Sequence, residues 1–377
     1  MKSTSGAHFI ALDHIRAVAA LLVFVWHFIH GAKGYPVPFD GSPFWGPLVL
    51  LDEGHVGVAL FMTLSGYLFA KLLDGKQVKY HLFLWNRCLR LFPLLLLVFF
   101  FEPLIQAVEA KDIRVIYWAA LGLMKGFILP TWPHGGWSIA TELHFYLILP
   151  ILLIAQKKGS LLLLLFIALA LAFRIFFYAN HGEVQSIAYW TIFGRIDQFV
   201  FGILGFYFSG LFTKRHWQVA LILVAFISVY YWFDVNGGFY LTDGYPSRSA
   251  IWIWLPTVEG AAFAVFIAWY ETSFNHRTGH LSSAVSRVGE YSYSIYLLHG
   301  FFVFSGAVWI HENLMDISNF YVALPVSVAA FCFMIPVGFV SMKLVEAPFL
   351  RLRKPYYVKN IAYVNEVPVG SVSVNTR

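Results

Sequence analysis

The fold class this sequence predicts is an all-α integral membrane protein, a bundle of about ten transmembrane helices with one re-entrant or interfacial segment. Three observations carry it. Of 377 residues, 59 % are hydrophobic and 12 % charged, with a mean hydropathy of +0.69, whereas soluble domains are about 25 % charged. Ten apolar runs approach the ~20 residues a helix needs to cross a bilayer. Lys and Arg concentrate in alternate loops, the bias that marks the cytoplasmic side.

The ten runs are 9–29, 48–70, 91–109, 138–155, 160–178, 190–211, 217–233, 250–270, 291–310 and 320–345. A further apolar stretch, 113–129, is interrupted by Lys125 and Gly126 and ends at Pro130. Whether it spans sets the parity of everything after it. Lys71, Lys76, Lys79, Arg87 and Arg90 mark one cytoplasmic loop, and Lys157-Lys158, Lys214-Arg215, Arg277 with Arg287, and Arg351, Arg353 and Lys354 mark four more. Loops 30–47, 179–189, 234–249 and 311–319 are poor in both residues. These signs agree only if 113–129 does not fully span. Segment 113–136, with Pro130, Pro133, Gly135 and Gly136, is therefore expected to re-enter or to pack at the outer face, since non-helical backbone at that depth is permitted beside a cavity.

Both termini then face the cytoplasm. Residues 1–355 are expected to form one transmembrane domain, with 356–377 as a polar tail. The first run carries Asp13 and Arg16 and lacks a small-residue cleavage site, so it reads as a retained helix. Two cysteines, Cys88 and Cys332, offer neither a disulfide framework nor zinc spacing, and no metal site is expected. The net charge of +6 sits in short loops, where it reports orientation rather than nucleic-acid binding.

Chemistry concentrates in the first helix. Arg16 and His27 are eleven positions apart, three helical turns, hence roughly one face and about 16 Å along the axis. Asp13 shares that face. Ionisable groups inside a membrane helix are unfavourable unless they line a polar cavity or a reaction path. Ser138, Glu142 and Tyr146, spaced four apart, form one polar stripe on the fourth run. Glu142 is expected at a depth similar to that of His27, where a carboxylate could fix the imidazole tautomer and raise its basicity. A structural hydrogen bond between helices is the plainer alternative.

Arg87 and Arg90, three apart at the cytoplasmic boundary, could hold a phosphorylated cytosolic donor bidentately. Equally, such arginines can simply set topology. Ser65-Gly66 reads as close packing or a substrate slot. Arg195 and Asp197 open the sixth run as a local ion pair or an acceptor contact. His299 reads as a core histidine near mid-membrane.

In this order, these segments resemble the acyltransferase-3 family of integral-membrane acyltransferases. The likeness runs from about residue 9 to 352. It is carried by Arg16…His27, Leu64-Ser65-Gly66-Tyr67, Arg87-x-x-Arg90, Trp137-Ser138…Glu142…Phe145-Tyr146…Pro150, Ser292-Tyr293…Ile295-Tyr296-Leu297-Leu298-His299 and Val345-Glu346-Ala347-Pro348. One departure is His14, where the family's opening pattern has Gly. Many members also carry a soluble hydrolase-like domain, which is not expected here.

The resemblance implies transfer of an acyl group, commonly acetyl, from cytosolic acyl-CoA to a hydroxyl of a carbohydrate or glycolipid. His27 would be the general base or a transient acyl carrier, supported by Glu142, Arg16 and Asp13. Arg87 and Arg90, with Ser65 and Gly66, would serve the acyl-CoA. Trp137, Ser138, Tyr146 and Arg195 would serve the acceptor. Acyl-CoA would be a co-substrate, with no permanently bound cofactor, and the setting would be a bacterial inner membrane. A transporter or flippase of an anionic lipid-linked substrate is the rival reading, although the two related halves common in secondary transporters are not visible.

Overall fold

The computed structural model of this chain describes residues 9–357, apart from 31–35, 38–42, 129–131, 133–134, 241–244 and 277–278. Its α-helices are α1 (Ile10–His30), α2 (Val49–Asp52), α3 (Val56–Leu73), α4 (Tyr80–Ala110), α5 (Arg114–Ile128), α6 (Gly136–Lys158), α7 (Ser160–His181) and α8 (Gln185–Trp190). They continue as α9 (Ile192–Tyr207), α10 (His216–Val235), α11 (Leu255–Ser273), α12 (His280–Leu298), α13 (Gly300–Asn313), α14 (Phe320–Ser341) and α15 (Ala347–Leu350). No strand occurs among the described residues; Val78 and Tyr357 make one isolated antiparallel bridge. The protein is an all-α integral membrane protein.

Among the described residues, seven helices are long and apolar enough to cross a bilayer: α1, α3, α4, α6, α7, α10, and α14 with its continuation to Leu350. The sequence suggests ten. Two of the difference are α9 and α11. At 16 residues α9 is short of a full span, and α11 carries Glu259 and Glu271. Both are interior helices, packed on each other and on α3. A helix enclosed by protein has no need of an apolar surface all round. The stretch expected not to span is α5, whose 15 residues extend about 22 Å. Pro130 and Pro133 lie outside the described residues, while Gly135 caps α6 at φ +76°, a conformation that favours glycine.

The ninth run is not one straight helix over 291–310. It is α12 and α13, bent by 76° at His299. The His299 ring Nδ1–H donates to Tyr296 O at 2.5 Å. In an unbroken helix that carbonyl would accept from residue 300, so the imidazole competes with the backbone at the bend.

Small residues set the central packing. A Cβ on Gly66 would lie 2.0 Å from Phe199 O, and one on Gly202 would lie 2.0 Å from Thr63 O. The backbones of α3 and α9 therefore meet where only glycine fits, the usual device where lipid supplies no hydrophobic drive for helix association. Gly289 does the same for α12 against Asp13 O of α1. His14, the departure from the family pattern, is buried and accommodated. Its Nε2–H donates to Ser282 O at 2.9 Å, and Nδ1 accepts from the Tyr270 hydroxyl at 2.9 Å.

Arg174 on α7 donates to Asp197 Oδ2 (2.7 Å), Gly194 O (2.6 Å) and Thr257 Oγ1 (2.6 Å), joining α7, α9 and α11. The local Arg195–Asp197 ion pair, one of the two readings of that segment, is absent among the described residues for this reason. Residues two apart on a helix do not face each other, and Asp197 turns to α7.

The chain leaves the membrane as a strap. Asn86 Nδ2 donates to Lys354 O (2.7 Å), Lys354 N donates to Asn86 Oδ1 (3.0 Å), and Lys79 N donates to Tyr356 O (2.8 Å). Tyr356 is buried against Phe83. The contacts at and just before the start of α4 thus include Tyr356 and Tyr357, past Pro355; residues 358–377 lie outside the described part.

If 113–129 does not span and both termini lie inside, the end of α7 is expected outside and the start of α10 inside. In a background lacking Cys88 and Cys332, His181→Cys in intact cells should react with an impermeant maleimide, and Arg215→Cys should not. The reverse pattern would invert the orientation of everything after α5.

Candidate active site

Five helices turn polar side chains toward one cavity of ≈ 100 Å³: Arg16 of α1, Ser65 of α3, Arg87 and Arg90 of α4, Ser138, Glu142 and Tyr146 of α6, and Ser292, Tyr293 and Tyr296 of α12. Phe61, Leu64, Phe69 and Phe199 are among its apolar walls. Side chains up to 280 positions apart in the sequence, from Arg16 to Tyr296, thus share one space.

Glu142 is the hub of the polar lining. It accepts a hydrogen bond from Ser65 Oγ at 3.2 Å and a short one from Tyr146 Oη. Its hydrogen-bond partners are these two hydroxyls, and His27 is not among them. Opposite it stand the cations. Arg16 donates to Asp13 at 2.5 Å from a largely buried position. The Arg87 guanidinium lies 5.3 Å from the Phe69 ring centroid and 5.6 Å from that of Phe83, cation–π geometry that holds it in an apolar setting. Arg87 Nε is buried without a hydrogen-bond acceptor among the described residues.

The strap adds a fourth cation. Arg353 comes within Coulombic reach of Arg90 and Arg87. Burial, followed by repulsion from those two arginines, lowers it to about 9, so it is still charged at neutral pH. Its Nε and Nη2 are also buried without an acceptor. Glu346 lies in the same electrostatic environment and accepts a short hydrogen bond from Ser294 Oγ.

His27 does not line this cavity. Its Nδ1–H donates to Val23 O at 2.8 Å, which leaves the imidazole lone pair on Nε2. Its ring meets that of His299 at 4.8 Å, and His299 lies 5.8 Å from Tyr296. Tyr296 Oη is 2.8 Å from Ser138 Oγ, and both hydroxyls reach Gly135 O. His27 is therefore linked through rings to the Ser138 end of the cavity. Glu142 is about 6 Å further along α6, toward the arginines. Among the described residues His27 and Glu142 do not bond to each other; the rings of His299 and Tyr296 link His27 to α6 at Ser138 instead.

Other sequence candidates fall elsewhere. Asp13 is buried behind Arg16. Gly66 serves the contact with α9. Trp137 is packed against Tyr189 and Trp190, with ring centroids at 4.9 and 4.6 Å. Arg195 is 1 % exposed. Its Nε donates to Tyr189 O at 2.5 Å and Nη1 to Gln198 Oε1 at 3.0 Å; Gln198 donates in turn to Glu259. Neither Trp137 nor Arg195 lines the cavity.

Four contributors carry no role in the sequence reading: Ser292, Tyr293, Tyr296 and Arg353. The first three sit at helical spacing in the Ser292-Tyr293…Tyr296 run, a signal that one face of α12 is polar. Arg353 resembled any other cytoplasmic topology arginine.

A family model described as an acyltransferase domain, acyltransferase-3, matches residues 9–342. No curated protein and no solved structure matches the chain.

Packing and chemistry at Ser65-Gly66 separate by mutation. Gly66→Ala forces a backbone shift of α3 against α9 and should destabilise the purified protein by about 1–3 kcal/mol or more. Ser65→Ala removes one hydrogen bond, about 1 kcal/mol. Thermal unfolding in detergent should rank them in that order, and equal shifts would contradict the packing role.

Proposed function

The chain belongs to the acyltransferase-3 family and is a membrane acyltransferase, and we propose that it moves an acetyl group from cytosolic acyl-CoA to a hydroxyl of a carbohydrate or glycolipid acceptor. The observation that carries this reading is the convergence of Arg16, Arg87 and Arg90 with Ser65, Glu142 and Tyr146 on one cavity. Arginines suit phosphate through bidentate, charge-assisted hydrogen bonds. A cavity near 100 Å³ suits a short acyl thioester, given that one of about 150 Å³ accepts a benzene.

In this reaction His27 Nε2 takes the proton of the acceptor hydroxyl. The oxygen attacks the thioester carbonyl, the C–S bond breaks, and CoA leaves as the thiolate, which then takes a proton. The bond from His27 Nδ1 to Val23 O supports this role, since a backbone acceptor holds the basic nitrogen at Nε2 whatever the state of neighbouring carboxylates. Between donor cavity and base stands Tyr296, held by Ser138 and Gly135. The thioester end must pass that side chain to reach His27, so Ser138 and Tyr296 act as positioning residues where donor and acceptor meet. Trp26 and Tyr240, stacked at 6.1 Å beside His27, offer aromatic surface on the acceptor side.

Removing the base should remove most of the rate, since general-base catalysis contributes about 10²–10⁴-fold. His27→Ala should lose acetyl transfer from radiolabelled acetyl-CoA in membranes, yet bind acetyl-CoA normally. Glu142→Gln should lose less, because the amide oxygen can still accept from Ser65 and Tyr146. Near-normal turnover by folded His27→Ala would sink the mechanism.

Arg87→Ala or Arg90→Ala should weaken acetyl-CoA binding on the order of tenfold or more, each charge-assisted contact being worth about 1.5–3 kcal/mol. Unchanged binding by the folded double variant would reduce the pair to a topology signal.

A further inference from the structure

Arg353 is held where the family motifs do not reach. The strap places it: Asn86, the residue before Arg87, clamps the peptide of Lys354 through both its N–H and its carbonyl. The next anchors, Lys79 N to Tyr356 O and Tyr356 against Phe83, fix the strap along the start of α4. Arg353 is thereby pressed toward Arg87 and Arg90, and three like charges gather at one end of the cavity. Two guanidinium nitrogens of Arg353 and one of Arg87 are buried without an acceptor among the described residues. Such donors are unfavourable unless an anion completes them. Glu346 is the nearby carboxylate, and Ser294 already donates to it.

We propose that Arg353 is a third donor-binding residue, meeting the 3′-phosphate of acyl-CoA while Arg87 and Arg90 meet the diphosphate. This rests on the donor reading above. In CoA the thioester, the pantetheine arm, the diphosphate and the ribose 3′-phosphate follow in that order. Arg87 and Arg90 line the cavity, and Arg353 stands just beyond it on the strap. With the thioester directed inward, the phosphate next outward from the diphosphate is the 3′-phosphate. A phosphomonoester carries more negative charge than either diphosphate group and offers three acceptor oxygens. It therefore matches a guanidinium whose Nε and Nη2 both lack acceptors. Arg353 would select CoA thioesters over those lacking this phosphate.

The test is isothermal titration of the full chain in detergent with CoA and with 3′-dephospho-CoA. The wild-type protein should prefer CoA by on the order of tenfold, the size of one charge-assisted contact. Arg353→Gln should bind CoA no better than 3′-dephospho-CoA while keeping the wild-type affinity for the latter. Arg353→Lys, which keeps the charge but not the fork, should retain part of the preference. A wild-type protein with no preference overturns the proposal, as does an Arg353→Gln protein that keeps the preference or loses both ligands equally. The donor reading fails separately. If Arg87→Gln and Arg90→Gln leave both affinities intact while Arg353→Gln erases the preference, the pair is not the diphosphate site and Arg353 stands. If the wild-type protein binds neither ligand, both readings fall.

Discussion

The close backbone approach of α3 and α9 is the contact on which the cavity depends. Gly66 abuts Phe199 O, and Gly202 abuts Thr63 O. With Gly66 held there, the preceding residue, Ser65, reaches Glu142 on α6, and Phe199 becomes a wall of the cavity. Lipid gives helices little reason to prefer one another over acyl chains, so close packing and buried polar bonds must define the arrangement. On the far side of α9, Arg174, Asp197 and Thr257 add such bonds. One short helix is thus gripped on two faces, and the site is built against it.

Charge is arranged with equal economy. Arg16 has Asp13, Glu142 has two hydroxyls, and Glu346 has Ser294. Arg87 and Arg353 keep buried N–H groups without acceptors among the described residues. In a low-dielectric interior such donors are costly unless a ligand completes them, which is the basis for proposing a role for these two arginines beyond marking the cytoplasmic face. Sequence position could not make that distinction, because Arg87 and Arg353 both fall in loops rich in Lys and Arg.

Much of the architecture was legible in the chain because bilayer thickness imposes helix length. The runs that became α1, α3, α6, α7, α10 and α14 are long, apolar and bounded by basic or polar loops. The interior helices were less legible. Enclosed by protein, α9 and α11 can be short or carry carboxylates, so the rules for lipid-facing helices describe them poorly. The bend at His299 was hidden for a different reason: it coincides with a side chain bonding to the backbone three residues earlier, and periodicity does not register that. Ser138, Glu142 and Tyr146, spaced four apart in the sequence, line one cavity together with Arg16, Arg87 and Arg90. The pairing of Arg195 with Asp197 failed because neighbours in sequence point apart on a helix, and Arg174 was closer in space.

The separation of His27 from the cavity changes the electrostatic argument. A base coupled directly to Glu142 would have its pKa tied to the arginines as well, since that carboxylate lies among them. Binding an anionic donor would then alter the base. Instead, Val23 O fixes the tautomer from within α1, and Tyr296 with His299 stands between imidazole and carboxylate. On the proposed mechanism, donor charge would come and go at one end while the His27 Nε2 at the other keeps its orientation. If, as proposed, the two substrates approach from opposite sides of the membrane, that separation would let each half-site be tuned to its own compartment. On the same reading, the Ser138–Tyr296 contact is where the two would be joined.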